Sequence, residues 1–306
     1  MIETDETLAI PSQPRSDARI QGSPRPAPSG PDAVEPPELV IRPASGWMAI
    51  NWGEMYEYRE LLAFLIWRDI SVRYKQTILG SAWAILQPLI MVAIFSFMMR
   101  YANIKVPMDL PLIVFVFAAL IPWTMFAQGM PAAANSLIQS LHMVTKVYFP
   151  RLFLPITAAA VFVVDGALAF LVYGVILFCY GITPQWTIVF LPLLFLLTLI
   201  ASLSIGVLLA GLTLFYRDFK HIVPFLVQIL MYVSGIFFPI SMIPEKYHAL
   251  LSLNPMFGII DAYRAAILGT PMYWNCFLIS SSVAIGLFVF SIYYFRRTER
   301  LFADYV

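Results

Sequence analysis

Charged and nucleophilic residues are scarce in this chain, so each can be asked what chemistry it offers. The densest group is RDISVRYK, Arg68 to Lys75, in which four of eight residues are charged; the next charge is Arg100. Asp69 and Arg73 lie four apart, a spacing at which opposite charges pair on a helix. Asp165 sits alone in an apolar stretch, with no further charge before Arg217. Such a carboxyl suits either a proton relay, as in a proton-coupled carrier, or a hydrogen bond between helices. No second carboxylate accompanies it, which favours the hydrogen bond. ATP hydrolysis needs a Gly-Lys-Ser/Thr loop whose amides and lysine hold phosphates. The five lysines follow Tyr74, Ile104, Thr145, Phe219 and Glu245, so no such loop is present. His142, His221 and His248 are isolated, and Cys179 and Cys276 are far apart, which gives no metal spacing. The two cysteines fall near the same end of two apolar stretches. A disulfide is conceivable there, and packed free thiols are the preferred reading. A glycan-transferring enzyme would need clustered carboxylates, histidines or a nucleophile, and the sequence offers no such cluster.

The elements that must position these few groups are apolar. The 306 residues are 60% hydrophobic and 12% charged, with mean hydropathy +0.79. A soluble domain carries about 25% charge, so most of the chain is expected to face lipid. A crossing helix needs about 20 apolar residues. Six stretches qualify, over 81–99, 111–130, 153–180, 187–214, 222–243 and 274–295. Gly181-Ile182-Thr183-Pro184 separates the third from the fourth. With the N-terminus inside, 15 of 19 Lys and Arg fall on inside segments, which predicts both termini in the cytoplasm. Trp186 and Trp274 open spans four and six on the outer side, where interfacial tryptophans belong. Residues 1–46 hold nine of 23 prolines with mixed charge and read as a disordered cytoplasmic tail; residues 47–306 read as one membrane domain. The acidic start, MIETDETLAI, is no signal peptide. Net charge of +1 points to no nucleic acid partner.

Three further stretches are too short or too broken to cross. From Ala63, Ile66, Trp67, Ile70 and Tyr74 fall on one side of a helix with Arg68 and Lys75 away from it; Gly80 then permits a turn into span one. This reads as a helix lying on the inner leaflet, either a simple anchor or a moving part. The loop NSLIQSLHMVTKVYFPRLFLP places Leu137, Leu141, Val144 and Tyr148 on one stripe, with Gln139, His142 and Lys146 opposite. Pro150 stops it and Arg151 marks the boundary. Its apolar face suits either the membrane or a groove in another protein. Between spans five and six, Gly235, Pro239, Pro244, Pro255, Gly258, Gly269 and Pro271 break an apolar run into short pieces, within which Asp261 and Arg264 are spaced to pair. Such pieces persist only when buried in protein or lining a cavity, which suggests a gate; a lipid-facing cap is the other reading.

The ordered fragments WRDISVRYKQTILGSAWAILQP, IPWTMF, KVYFPRLFLP, YRDFKHIVPFLVQ, SGIFFPISMIP and LNPMFGIIDAYRAAILG resemble the membrane subunit of type-2 ABC exporters of lipid-linked polysaccharides, over about residues 55–296. That resemblance implies an all-α polytopic membrane protein with six spans, an N-terminal amphipathic interface helix, a cytoplasmic coupling helix and two re-entrant helices. It implies a permease homodimer in the cytoplasmic membrane above two separate ATPase subunits, which carry ATP and Mg; no cofactor is implied in this chain. It assigns 136–151 to ATPase coupling, with Asn135, Leu137, Leu141, Val144, Lys146, Tyr148, Pro150 and Arg151 as candidates. The interface helix would use Trp67, Arg68, Asp69, Arg73, Tyr74 and Gly80, and the re-entrant gate Pro239, Pro244, Asn254, Pro255, Asp261 and Arg264. Spans one and five would line the path, with Phe95, Phe97, Tyr232, Phe237 and Phe238 as rings on which sugar faces pack; ordinary helix packing or lipid contact is the competing role for each. Exporters of drugs or lipids, and proton-coupled carriers, are the alternative functions.

Overall fold

The structure is a computed structural model that describes residues 52–75, 80–140, 149–216 and 218–299. The tail over 1–46 and the segment 141–148, which holds Leu141, Val144, Lys146 and Tyr148, lie outside the described residues. Among the described residues every regular element is helical. In order they are α1 (Trp52–Glu57), α2 (Arg59–Lys75), α3 (Gly80–Tyr101), α4 (Leu112–Gln139), α5 (Phe153–Cys179), α6 (Leu191–Phe215), α7 (Phe219–Val233), α8 (Pro255–Leu268) and α9 (Trp274–Glu299). Among the described residues, four stretches are long and apolar enough to cross a membrane: α4, α5, α6 with the helical turn Trp186–Phe190 before it, and α9.

Helix α4 occupies the middle and packs on α3, α5, α6, α7 and α8. Of its most apolar stretch 78% is buried inside the protein, against 28% for α9, so α4 is the core and α9 mostly presents its side chains outward. Small residues permit the closest approach. A Cβ on Gly206 of α6 would stand 2.7 Å from the Ala133 Cβ of α4, too close for a side chain without a shift. Thr213 then donates from α6 to the Ala134 carbonyl of α4 at 2.9 Å. At the other end the Tyr173 hydroxyl of α5 donates to the Val114 carbonyl at 3.0 Å. Pro122 and Pro131 lie inside α4 without ending it. In lipid that is tolerated because neighbouring helices cover the freed backbone groups.

The element boundaries differ from the sequence expectations in two places. The second expected span runs on past Pro131 to Gln139, so Asn135 and Leu137 belong to α4 rather than to a separate helix. The fifth stops ten residues early, at Val233. With 15 residues, α7 rises about 22 Å, short of a hydrocarbon core about 30 Å thick. Its end has a local cause: Gly235 has φ +72, a left-handed conformation that breaks the helix. Helix α3 is 22 residues long, and its described apolar part is Leu86–Tyr101.

Candidate functional site

The charge-rich helix meets the lone carboxylate. At the C-terminal end of α2, Arg73 Nη2 lies 2.7 Å from Asp165 Oδ2, in the middle of α5. The Tyr74 hydroxyl donates to the other oxygen, Oδ1. Burial raises the Tyr74 phenol above its ordinary range, and the hydrogen bond and charge of Asp165 raise it further, so it stays a donor at neutral pH. The Arg73 guanidinium also stands 4.5 Å from the centre of the Phe162 ring and donates to Gln128 Oε1 of α4 at 3.3 Å. One carboxylate therefore holds two adjacent residues of α2, the arrangement that best satisfies a buried anion. Earlier in α2, Leu65 is 2% exposed and belongs to an apolar cluster with Leu137 of α4, Phe153 of α5 and Phe295 of α9. Asp165 lies twelve residues along α5 from Phe153, about 18 Å. Helix α2 thus reaches from the end of the bundle to the middle of α5, where the sequence pattern suggested a helix lying flat.

This geometry corrects one sequence expectation. Asp69 pairs with its neighbour Arg68 at 2.8 Å, leaving Arg73 for Asp165. Trp67 points out, 68% exposed, while the buried face of α2 is that of Leu61, Leu62 and Leu65. Asp165, with its side chain 11% exposed, makes the hydrogen bond between helices that the sequence favoured, and an ion pair with it.

At the far end of the bundle, α8 is buried almost throughout. Asn254 caps it by accepting from the Met256 amide, Pro255 occupies its first turn and Gly269 closes it with φ +72. Ser280 of α9 hooks the start of α8: its hydroxyl accepts from Gly258 N–H at 3.1 Å and lies 3.0 Å from the Ser252 and Asn254 carbonyls. Gly258 must lack a side chain, because a Cβ would stand 2.4 Å from the Cys276 carbonyl. Arg264, 1% exposed, does not pair with Asp261 within ion-pair distance. It donates to the carbonyls of Gly235 at 2.9 Å and Ile236 at 2.8 Å, and covers the Phe115 ring at 3.8 Å. Asp261 instead accepts the Tyr273 amide at 3.2 Å. Arg264 therefore clamps the segment that follows α7 to α8 and α4. Pro239 and Pro244 each precede a short helical turn, Ile240–Met242 and Glu245–Tyr247, before the single turn His248–Leu251.

The aromatic candidates divide. Phe95 of α3 meets Phe237 edge-on at 4.7 Å, and Tyr232 of α7 stacks on Phe237 at 5.9 Å. Phe97 lies on another face of α3, 71% exposed, and Phe238 is partly buried. Of the loop candidates, Asn135 donates to the Pro131 carbonyl, Leu137 is buried, Pro150 is buried, and Arg151 donates to the Glu299 carbonyl of α9 at 3.2 Å. Gly80 starts α3. Sequence reasoning missed Gln128, Phe162 and Ser280. Their partners are remote in the chain, and no local pattern marks them.

Comparison with known proteins places the fold among transporters. A family model described as ABC-2 type transporter matches residues 60–268. The chain is similar to an O-antigen export system permease protein of Myxococcus xanthus, 29% identical over 218 residues, covering 69% of this chain and 82% of the relative. A protein of the same description from Klebsiella pneumoniae is 26% identical over 259 residues, 84% of this chain and 98% of the relative. The polysialic acid transport protein KpsM of Escherichia coli is 26% identical over 215 residues, 67% of this chain and 80% of the relative. Because the matched region runs from α2 through α8 and covers more than half of the chain, the chain belongs to the ABC-2 type transporter family.

Proposed function

We propose that this chain is the membrane subunit of an ATP-driven exporter that moves lipid-linked polysaccharide across the cytoplasmic membrane. It would act as a homodimer with two separate ATPase subunits that carry ATP and Mg. In this reading α3 and α7 supply the first and fifth of six membrane helices, both termini are cytoplasmic, and the pieces between α7 and α9 are re-entrant. The relatives named for O-antigen and polysialic acid transport support the cargo. The observation that carries the mechanism is the grip of Asp165 on Arg73 and Tyr74. Closure of the ATPase dimer pushes the 136–151 segment and α2. Because α2 is tied to the middle of α5, and α3 begins five residues after α2 ends, that push reaches two membrane helices at once. The Phe95–Phe237–Tyr232 cluster, between α3 and the end of α7, offers rings to sugar faces along the path.

Two measurements test this. Cysteines at Leu141 or Val144 should crosslink to the ATPase subunit; capture of lipid alone would remove the coupling role. ATPase activity of the reconstituted complex should rise with lipid-linked glycan and lose that response when this subunit is omitted. Stimulation by drugs or simple lipids instead would reassign the cargo, and transport driven by a proton gradient without ATP would overturn the mechanism.

A further inference from the structure

A groove of about 640 Å³ opens between the start of α6, α8 and the start of α9, within the range of ligand-holding clefts. No charged residue lines it. Its floor is cut by small residues of α8, Ala262, Ala265, Ala266 and Gly269, one helical stripe that leaves room where larger side chains would fill it. Gln185 and Thr187 fix one wall: the Gln185 amide donates to the Ile267 carbonyl at 3.2 Å and the Thr187 hydroxyl to the Ala266 carbonyl at 2.9 Å. The groove is therefore built by hydrogen bonds between elements and is more than a gap between loosely packed helices.

Two observations identify the occupant. The mouth is continuous with the outward faces of membrane-crossing helices. Leu193, 59% exposed, lines the groove, and Val189 and Leu196 on the same side, like Leu278 on α9, are exposed among the described residues. Trp186 and Trp274 both line the groove and are both exposed, at the beginnings of two spans, the level at which tryptophan marks the boundary between hydrocarbon and headgroup. Separately, Thr270 lines the groove, is 8% exposed, and its hydroxyl has no hydrogen-bond partner. A buried hydroxyl without a partner is costly and asks for an acceptor.

We propose that this groove holds one acyl chain of a membrane phospholipid from the leaflet on the α8 side, with the ester carbonyl accepting from Thr270. The chain fills the apolar space and wedges α8 between α6 and α9, so the lipid is part of the wall that α8 forms. A second copy of this chain is disfavoured as the occupant. The surfaces assigned above to the path belong to α3, which packs on α4 and α5, and α7, which packs on α4 and α6, whereas the groove lies on α6, α8 and α9. The proposal does not depend on the nature of the exported cargo.

The test reconstitutes the full permease with its ATPase subunits in phosphatidylethanolamine–phosphatidylglycerol vesicles doped with a phospholipid bearing a diazirine midway along one acyl chain. After irradiation, adducts are mapped by mass spectrometry. Adducts on Ala265 and Phe277 should saturate as the probe fraction rises, while those on Val289, exposed on α9, rise in proportion. Ala265→Phe should abolish the groove adducts and leave those on Val289. Thr270→Val keeps the shape and removes one hydrogen bond, so lipid retention after detergent extraction should fall about fivefold. If Ala265→Phe fails to assemble, the saturation curve of the unaltered protein and Thr270→Val decide. Labelling of groove and Val289 in the same linear proportion, crosslinks from the groove to a second copy, or adducts from a prenyl-linked glycan probe but not from the phospholipid would each overturn the proposal.

Discussion

The attachment of α2 to α5 can be weighed by a double-mutant cycle on Arg73 and Asp165. Hydrogen bonds to charged groups contribute about 1.5–3 kcal/mol, whereas fully exposed pairs contribute about 0–1 kcal/mol. Here the Arg73 side chain is 37% exposed and that of Asp165 11%, so solvent screens one partner only. The pair should contribute about 1–2 kcal/mol, between those limits. Loss of that much raises the population of detached α2 roughly five- to thirtyfold. Hydrogen exchange of the α2 amides, measured on the complete complex in lipid nanodiscs, reads that population directly. Arg73→Ala and Asp165→Ala should each accelerate exchange by that factor, and the double variant should be little worse than the worse single one. Asp165→Asn keeps one acceptor oxygen, which can serve Arg73 while the Tyr74 hydroxyl accepts from the new NH2, and should lose about half as much, with transport preserved. Transport per ATP should fall in the alanine variants in step with the detachment. Strict additivity of the two substitutions would refute the latch, and abolition of transport by Asp165→Asn with Arg73→Ala active would restore the proton relay.

Three more expectations rest on the packed end around α8. Arg264→Met leaves the carbonyls of Gly235 and Ile236 without their donor and should destabilise by about 3 kcal/mol or more, seen as a lowered Tm in detergent; Arg264→Lys should rescue only part, since one ammonium cannot reproduce the fork. Gly258→Ala forces a Cβ against the Cys276 backbone and should push α8 off α9, with a loss of folded yield larger than for Gly286→Ala, where the added carbon meets open space. Cys179 is exposed and Cys276 buried, both free, so a membrane-permeant maleimide should modify Cys179 in the folded protein and Cys276 only after denaturation.

What the sequence could reveal was set by local chemistry. Glycine and proline act on their own backbone, so the breaks at Gly181–Pro184, Pro255 and Gly269 were all readable. The spans beginning at Trp186 and Trp274 were readable for the same reason. Periodicity failed where both faces of a helix are apolar: in α4 one face meets protein and so does the other, and in α2 the exposed face carries Phe64 and Trp67 while the buried face carries Leu65. Hydropathy measures transfer out of water and is silent on whether lipid or protein covers a residue. The end of α7 has its local cause in Gly235, whereas the clamp on the segment that follows was hidden because its donor, Arg264, lies 29 residues on. Asp165 found its partners 91 and 92 residues away, beyond any local pattern. Asp69 and Arg73 stood at pairing distance along the helix and were separated by competition from Arg68 and Asp165, a choice that only tertiary structure makes.

The enclosure of α4 also governs how such a chain can diversify. A residue touching lipid meets a fluid that rearranges around any apolar shape, whereas a residue inside α4 meets fixed side chains on every side. Across a full substitution scan, apolar exchanges along the outer face of α9 should pass unnoticed in a helical rhythm, and exchanges along 114–126 should fail nearly without interruption. Drift between descendants of this protein is thereby channelled to its perimeter, where new surfaces can arise while the post at its centre is inherited almost unchanged.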